Sequence, residues 1–72
     1  MTRASDSWIA SKVKTFLLAD SSTPGLRVKV VAEDGVVYLL GMVTREEADR
    51  IAAEAADVSG VQRVVRLFEL ID

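Results

Sequence analysis

The sequence predicts a single α+β domain of order αββαβ: a three-stranded mixed sheet with two helices packed on one face. Three observations predict it. Apolar residues recur at helical spacing in two segments, near residues 9–17 and 48–58. The pair Asp34-Gly35 separates two strand-like runs, as a tight hairpin turn would. A last apolar run, 61–71, follows the second helix. That helix must therefore act as a crossover, laying the final strand parallel to its predecessor with a right-handed connection. A chain of 72 residues has room for one such domain, with its core at about 6–71.

The first helix is expected over about 6–19. Ser5 and Ser7 are candidate N-caps, and Asp6 suits the positive end of the helix dipole. Ile9, Val13, Phe16 and Leu17 follow the i, i+4, i+7, i+8 spacing of one buried stripe. The run Asp20-Ser21-Ser22-Thr23-Pro24-Gly25 then breaks the helix. Residues 26–32 read as a strand, with Val28, Val30 and Ala32 on one face and Arg27, Lys29 and Val31 on the other. The hairpin turn leads into an almost wholly apolar strand, 36–43. Val37, Leu39, Gly41 and Val43 fall on one of its faces, and Val36, Tyr38, Leu40 and Met42 on the other. Thr44 and Glu47 have capping-box spacing. The second helix should run to about residue 58 and bury Ala48, Ile51, Ala52, Ala55 and Val58, with Gly60 as its C′ glycine. Residues 61–71 form the last strand.

Composition removes several kinds of chemistry. There is no cysteine and no histidine, so disulfides, thiolate nucleophiles, histidine bases and the commonest metal ligands are excluded. Nine basic against eleven acidic residues give a net charge of −2, the wrong sign for a nucleic-acid binder. No apolar run approaches a membrane span and no secretory signal is visible. The chain reads as an excised domain or a mature fragment. No nucleophile–base pair, metal-ligand set or cofactor motif stands out, so a non-enzymatic module with no cofactor is expected.

The first helix carries the sharpest functional signal. At about 100° per residue, Trp8, Ser11, Thr15 and Leu18 lie opposite the buried stripe, with Lys12 and Lys14 on the two edges of that second face. An apolar pair flanked by amines suits an anionic bilayer surface. Tryptophan favours the interface, leucine adds apolar area, and lysine can snorkel to phosphate. The alternative is structural, with Trp8 folded over the end of the core and Leu18 packed under loop 21–25.

The outward sheet face is the second signal. Tyr38, Leu40 and Met42 would join Val65, Leu67 and Ile71, with Val31 at the edge. An apolar face of that size marks an interface with a sister domain or a second copy, or is covered by another part of the chain. The acidic residues Glu46, Glu47, Asp49, Glu54 and Asp57 read as a solvated helix face, with Glu46 and Arg50 at i, i+4 spacing. Arg45, Arg63 and Arg66 could form a small basic patch. Gly41 reads as a close-packing position under a helix rather than part of a phosphate loop.

Taken along the chain, these residues resemble the BON domain family. The resemblance covers residues 5–71 and is carried by Asp6, Ile9, Lys12, Val13 and Lys14. It continues through Val28-x-Val30, then Asp34-Gly35-Val36-Val37-x-Leu39-x-Gly41-x-Val43-Thr44, then Glu47-Ala48, Ala52 and Val58-x-Gly60-Val61-x-x-Val64. It implies the same αββαβ fold. It further implies a module of a bacterial envelope protein in the periplasm, at the inner leaflet of the outer membrane, that binds anionic phospholipid and supports outer-membrane integrity. The subgroup it is most similar to comprises outer-membrane lipoproteins with two such domains. In that subgroup the first helix faces the membrane, and Trp8 and Leu18 match its apolar positions. Two departures stand out. Tyr38, Leu40 and Met42 occupy a face that the family usually fills with small polar residues, and Arg66 replaces a frequent asparagine.

Overall fold

A computed structural model describes residues 2–71 of the chain, with side chains from Ser7 onward. Helix α1 spans Thr2–Ala19, strand β1 Lys29–Glu33, strand β2 Val36–Val43, helix α2 Arg45–Ala56 and strand β3 Arg63–Leu70. The sheet order is β1-β2-β3, with β1 antiparallel and β3 parallel to the central β2. The αββαβ order and mixed sheet are those the sequence predicts.

One core holds the domain together. Ile9, Val13 and Leu17 from α1 and Ala48, Ile51 and Ala55 from α2 meet Val28, Val37, Leu39 and Val43 from the sheet side. The three β2 residues share one parity, so both helices cover the same sheet face. Leu17, Leu39 and Ile51 are fully buried, each contributing on the order of 2 kcal/mol of transfer free energy. The alanine stripe of α2 lets that helix approach closely.

Local chemistry explains the turns. Asp34 and Gly35 both adopt positive φ, 53° and 80°, as a type I′ hairpin requires. Thr44 and Glu47 form the reciprocal capping box: the Thr44 hydroxyl accepts from the Glu47 N–H at 3.1 Å, and the Thr44 N–H donates to Glu47 Oε1 at 2.9 Å.

Several boundaries depart from expectation. Helix α1 begins at Thr2, so Ser5, Asp6 and Ser7 lie within its first turns rather than at its cap. Arg3 and Ala4 are good helix formers and extend it upstream. The side chains of residues 1–6 lie outside the described part. Phe16, assigned to the buried stripe, is half exposed. Residues Gly25–Arg27 form a 3-10 turn instead of starting β1. Pro24 cannot donate to a ladder, and Gly25 seats against the Leu17 carbonyl and Leu18, where a Cβ would meet atoms at 2.9–3.0 Å. Helix α2 stops at Ala56, with Asp57 as its C-cap. Val58 is buried beyond the helix, and Gly60 is not its C′ residue although it has φ 97°. Strand β3 starts at Arg63 and ends at Leu70. Gly41 is a close-packing position, but under backbone and not under a helix. At φ 146°, a Cβ there would stand 2.5 Å from the Arg27 carbonyl oxygen.

Candidate functional site

Helix α1 turns Ile9, Val13 and Leu17 inward, and the same 3.6-residue period sends Trp8, Ser11, Thr15 and Leu18 outward. Trp8 is 65% exposed and Leu18 51%. Trp8 therefore does not fold back over the core. The two lie ten residues apart, about 15 Å along the helix axis. A third apolar side chain extends this surface. Leu26, in the 3-10 turn, is 86% exposed and shares a shallow hollow of about 420 Å³ with Leu18 and Pro24. Sequence reasoning missed Leu26 by placing it in a strand. The proline-glycine pair just before it is the signal that could have moved it to a turn.

The two lysines differ. Lys12 keeps its ammonium 6.0 Å from the centre of the Trp8 ring, at the outer limit of a cation–π contact, and donates to the Ser59 carbonyl at 3.2 Å. Lys14 is drawn inward, donating to the carbonyls of Gly25, at 2.7 Å, and Val28. It ties the 3-10 turn and the entry to β1 onto α1. Ser11, Lys14 and Thr15 line a shallow groove of about 510 Å³ between α1 and β1, with Lys29 across from them. The six predicted lipid-facing residues thus lie on one side of α1, with Lys14 already committed to backbone acceptors.

The loop after α1 is held by its own polar groups. The buried Thr23 hydroxyl donates to the Leu17 and Asp20 carbonyls at 2.7 and 3.0 Å, satisfying groups that the helix end leaves open. Asp20 accepts from the N–H and hydroxyl of Ser22. Its carboxylate also bonds Glu54 of α2, and these contacts hold its pKa down at about 2. Burial, then the bond to Asp20, push Glu54 up to about 7.

The other charged clusters dissolve into local contacts. Glu47 caps α2 and stands 3.8 Å from Arg27, Asp49 pairs with Arg66 at 2.8 Å, and Arg50 approaches Asp20 at 3.9 Å rather than serving Glu46. Arg66 and Arg63 point to opposite sheet faces by register, so the expected basic patch with Arg45 does not form. Among the described residues, no group of three acidic side chains is arranged to hold a metal ion, and no helix is long and apolar enough to cross a membrane.

The outward sheet face carries the five predicted partner-binding residues. Tyr38, Leu40 and Val65 are half-buried, while Met42 and Leu67 are exposed, as are Val31 and Ile71. Neither helix covers this face.

Comparison with known proteins agrees with this architecture. The profile of the BON domain matches residues 5–72. The chain is 39% identical over 67 residues to the outer membrane lipoprotein DolP of Haemophilus influenzae, covering 93% of this chain and 35% of that protein. It is 38% identical over 66 residues to a 21 kDa hemolysin of Actinobacillus pleuropneumoniae, covering 92% and 34%. It is 42% identical over 62 residues to the osmotically-inducible protein Y of Escherichia coli, covering 85% and 31%. The chain thus spans about a third of the length of these relatives. A profile match over nearly its whole length, on the αββαβ order and glycine pattern described above, establishes that the chain belongs to the BON domain family.

Proposed function

We propose that this chain is a non-enzymatic module of a bacterial cell-envelope protein that binds anionic phospholipid, of the phosphatidylglycerol kind, through the outward face of α1. Its place would be the periplasm, at the inner leaflet of the outer membrane, where such binding would support membrane integrity. The observation that carries the reading is the exposed apolar trio of Trp8 and Leu18 on α1, whose opposite face already completes the core, and Leu26 in the adjoining 3-10 turn. An indole at headgroup depth, two leucines reaching the acyl boundary and Lys12 beside the indole make an interfacial contact. The outer-membrane lipoprotein relative supports the compartment.

Energetics make the attachment weak. Insertion of the trio contributes a few kcal/mol at about 25 cal/mol per Å², and a lysine near an anionic leaflet adds about 1 kcal/mol. The net charge of −2 opposes approach to an anionic surface, which weakens the attachment further. A single module would bind reversibly and need a second anchor for stable residence.

The test is a two-dimensional NMR titration with phosphatidylglycerol micelles and phosphatidylcholine as control. Shifts confined to residues 8–18 and the Leu26 turn, with the anionic lipid alone, are the expected result. Equal shifts with both lipids, or none, would sink the reading.

A further inference from the structure

The face turned away from the helices has a charge pattern of its own. By register, Glu33 and Arg63 flank Val36 from the two edge strands, at one end of the sheet. At the other end Lys29 flanks Leu40, and Glu69 flanks Met42 one row further on. All four point outward by strand alternation. The result is a rectangle with corners of alternating sign: acidic and basic at one end, basic and acidic at the other. Its interior is apolar, built from Val31, Tyr38, Leu40, Met42, Val65 and Leu67. Met42 and Leu67 are both more than half exposed. Among the described residues, the ion pairs of Arg27, Arg50 and Arg66 do not involve these four corners.

Such a pattern is complementary to itself. A two-fold axis along the strands lays β1 of one copy over β3 of the other, stacking Glu33 on Arg63 and bringing Lys29 near Glu69. A two-fold axis across the strands brings Arg63 over Glu69 and Glu33 near Lys29. Both bring opposite signs together at the corners, while a diagonal axis would stack like on like. Both also keep the strands aligned, as sheets packed face to face about 10 Å apart prefer. An isologous contact needs this self-complementarity. We infer that the outer sheet face is a homodimer interface, in which a second copy of this chain covers the apolar rectangle and the four corners pair by charge. Lys29 also borders the groove beside α1, but the apolar rectangle lies on the other side of the sheet, so the inference does not depend on lipid binding.

Sedimentation or light scattering of the whole chain tests it. The wild-type chain should be dimeric at about 100 µM, within the ordinary affinity range of an apolar two-fold interface. The double variant Lys29→Glu with Arg63→Glu makes all four corners acidic, and Glu33→Lys with Glu69→Lys makes them all basic. Each should be a folded monomer by circular dichroism, weakened about tenfold or more in self-association. An equimolar mixture of the two should restore a dimer. A wild-type chain that remains monomeric up to about 1 mM, below the threshold of any useful association, overturns the proposal and leaves the face to a different partner. It is also overturned if either double variant dimerises as well as wild type, or if the mixture of folded variants fails to associate.

Discussion

The two helices pack on the same sheet face, bury a comparable apolar stripe, and treat solvent in opposite ways. Helix α2 shows water no apolar side chain larger than alanine, and four acidic against two basic residues line its length. Several of its charges are engaged: Asp49 with Arg66, Arg50 with Asp20, Glu47 with Thr44 and Arg27. Helix α1 carries three basic residues and one acidic, and exposes Trp8, Phe16 and Leu18. The difference teaches that the fold does not require apolar residues on an outward helix face, because α2 does without them. Their presence on α1 is a cost in water with no return inside the domain, and that asymmetry is what points to a surface outside it.

The largest effect separates the inward from the outward faces. Ile51→Ala, on the buried side of α2, should cost about 3 kcal/mol, since the cavity it leaves is closed in by both helices and β2. Trp8→Ala should change stability by less than about 0.5 kcal/mol. Urea unfolding of both variants measures this. A Trp8→Ala cost comparable to that of Ile51→Ala would make Trp8 a structural residue and erase the contrast between the helices.

Next in size is the response to lipid. Placing glutamate at Trp8 and Leu18 together should lower affinity for phosphatidylglycerol vesicles by about tenfold or more, as lost apolar insertion and added repulsion combine. The corresponding change on α2, Ala53→Glu, should leave it unaltered. Vesicle co-sedimentation reads both. Equal losses from the two helices would mean that net charge, rather than the α1 face, governs binding.

The two lysines sharpen the picture within α1. Lys14→Met keeps the stem but removes the donors to the Gly25 and Val28 carbonyls, and should cost about 1–2 kcal/mol of stability. Lys12→Met loses an exposed bond and a distant contact with the Trp8 ring, and should leave stability within about 0.5 kcal/mol while weakening vesicle binding a few-fold. Thermal melts beside a binding titration distinguish the pair. A Lys14→Met protein as stable as wild type would show that its carbonyl contacts are incidental.

The fold was legible because its signals are local and chemical. Asp34-Gly35 supplied the hairpin, Thr44 with Glu47 the cap, and the alternation through 36–43 the central strand. The α1 face was legible from the period alone, which separated Trp8 and Leu18 from Ile9, Val13 and Leu17. What escaped depended on contacts distant in sequence. Pro24-Gly25 marked a turn near Leu26, but what holds that turn, Gly25 docked on Leu17 and Lys14 reaching across to it, is not local in sequence. Phe16 fitted the helical spacing, but it lies at the edge of the stripe, outside the buried cluster, and is half exposed. Arg66 counted as free charge until the crossover placed Asp49 beside it.

The smallest expected effect lies where the two helices touch through acids. Asp20 follows α1 and Glu54 stands on α2; the two carboxyls are hydrogen-bonded, with Arg50 3.9 Å from Asp20. Glu54 is raised from an ordinary 4.5 to about 7 by burial and then by its bond to Asp20. The folded state therefore favours protonated Glu54. Its contribution is full below pH 4.5 and is lost as pH rises through 7. Asp20, lowered from 3.8 to about 2 by its bonds to Glu54 and Ser22, works the other way: its contribution is present above 3.8 and lost as pH falls through 2. Glu54 loses its proton between pH 5 and 8, so its contribution to stability should decline across that interval by on the order of 1 kcal/mol, after allowance for solvent screening. Glu54→Gln keeps an amide donor for Asp20 and cannot ionise. It should flatten the decline and lift stability at pH 8 relative to wild type. If melts at pH 5 and 8 decline equally in both proteins, the Asp20–Glu54 bond does not set the pH dependence.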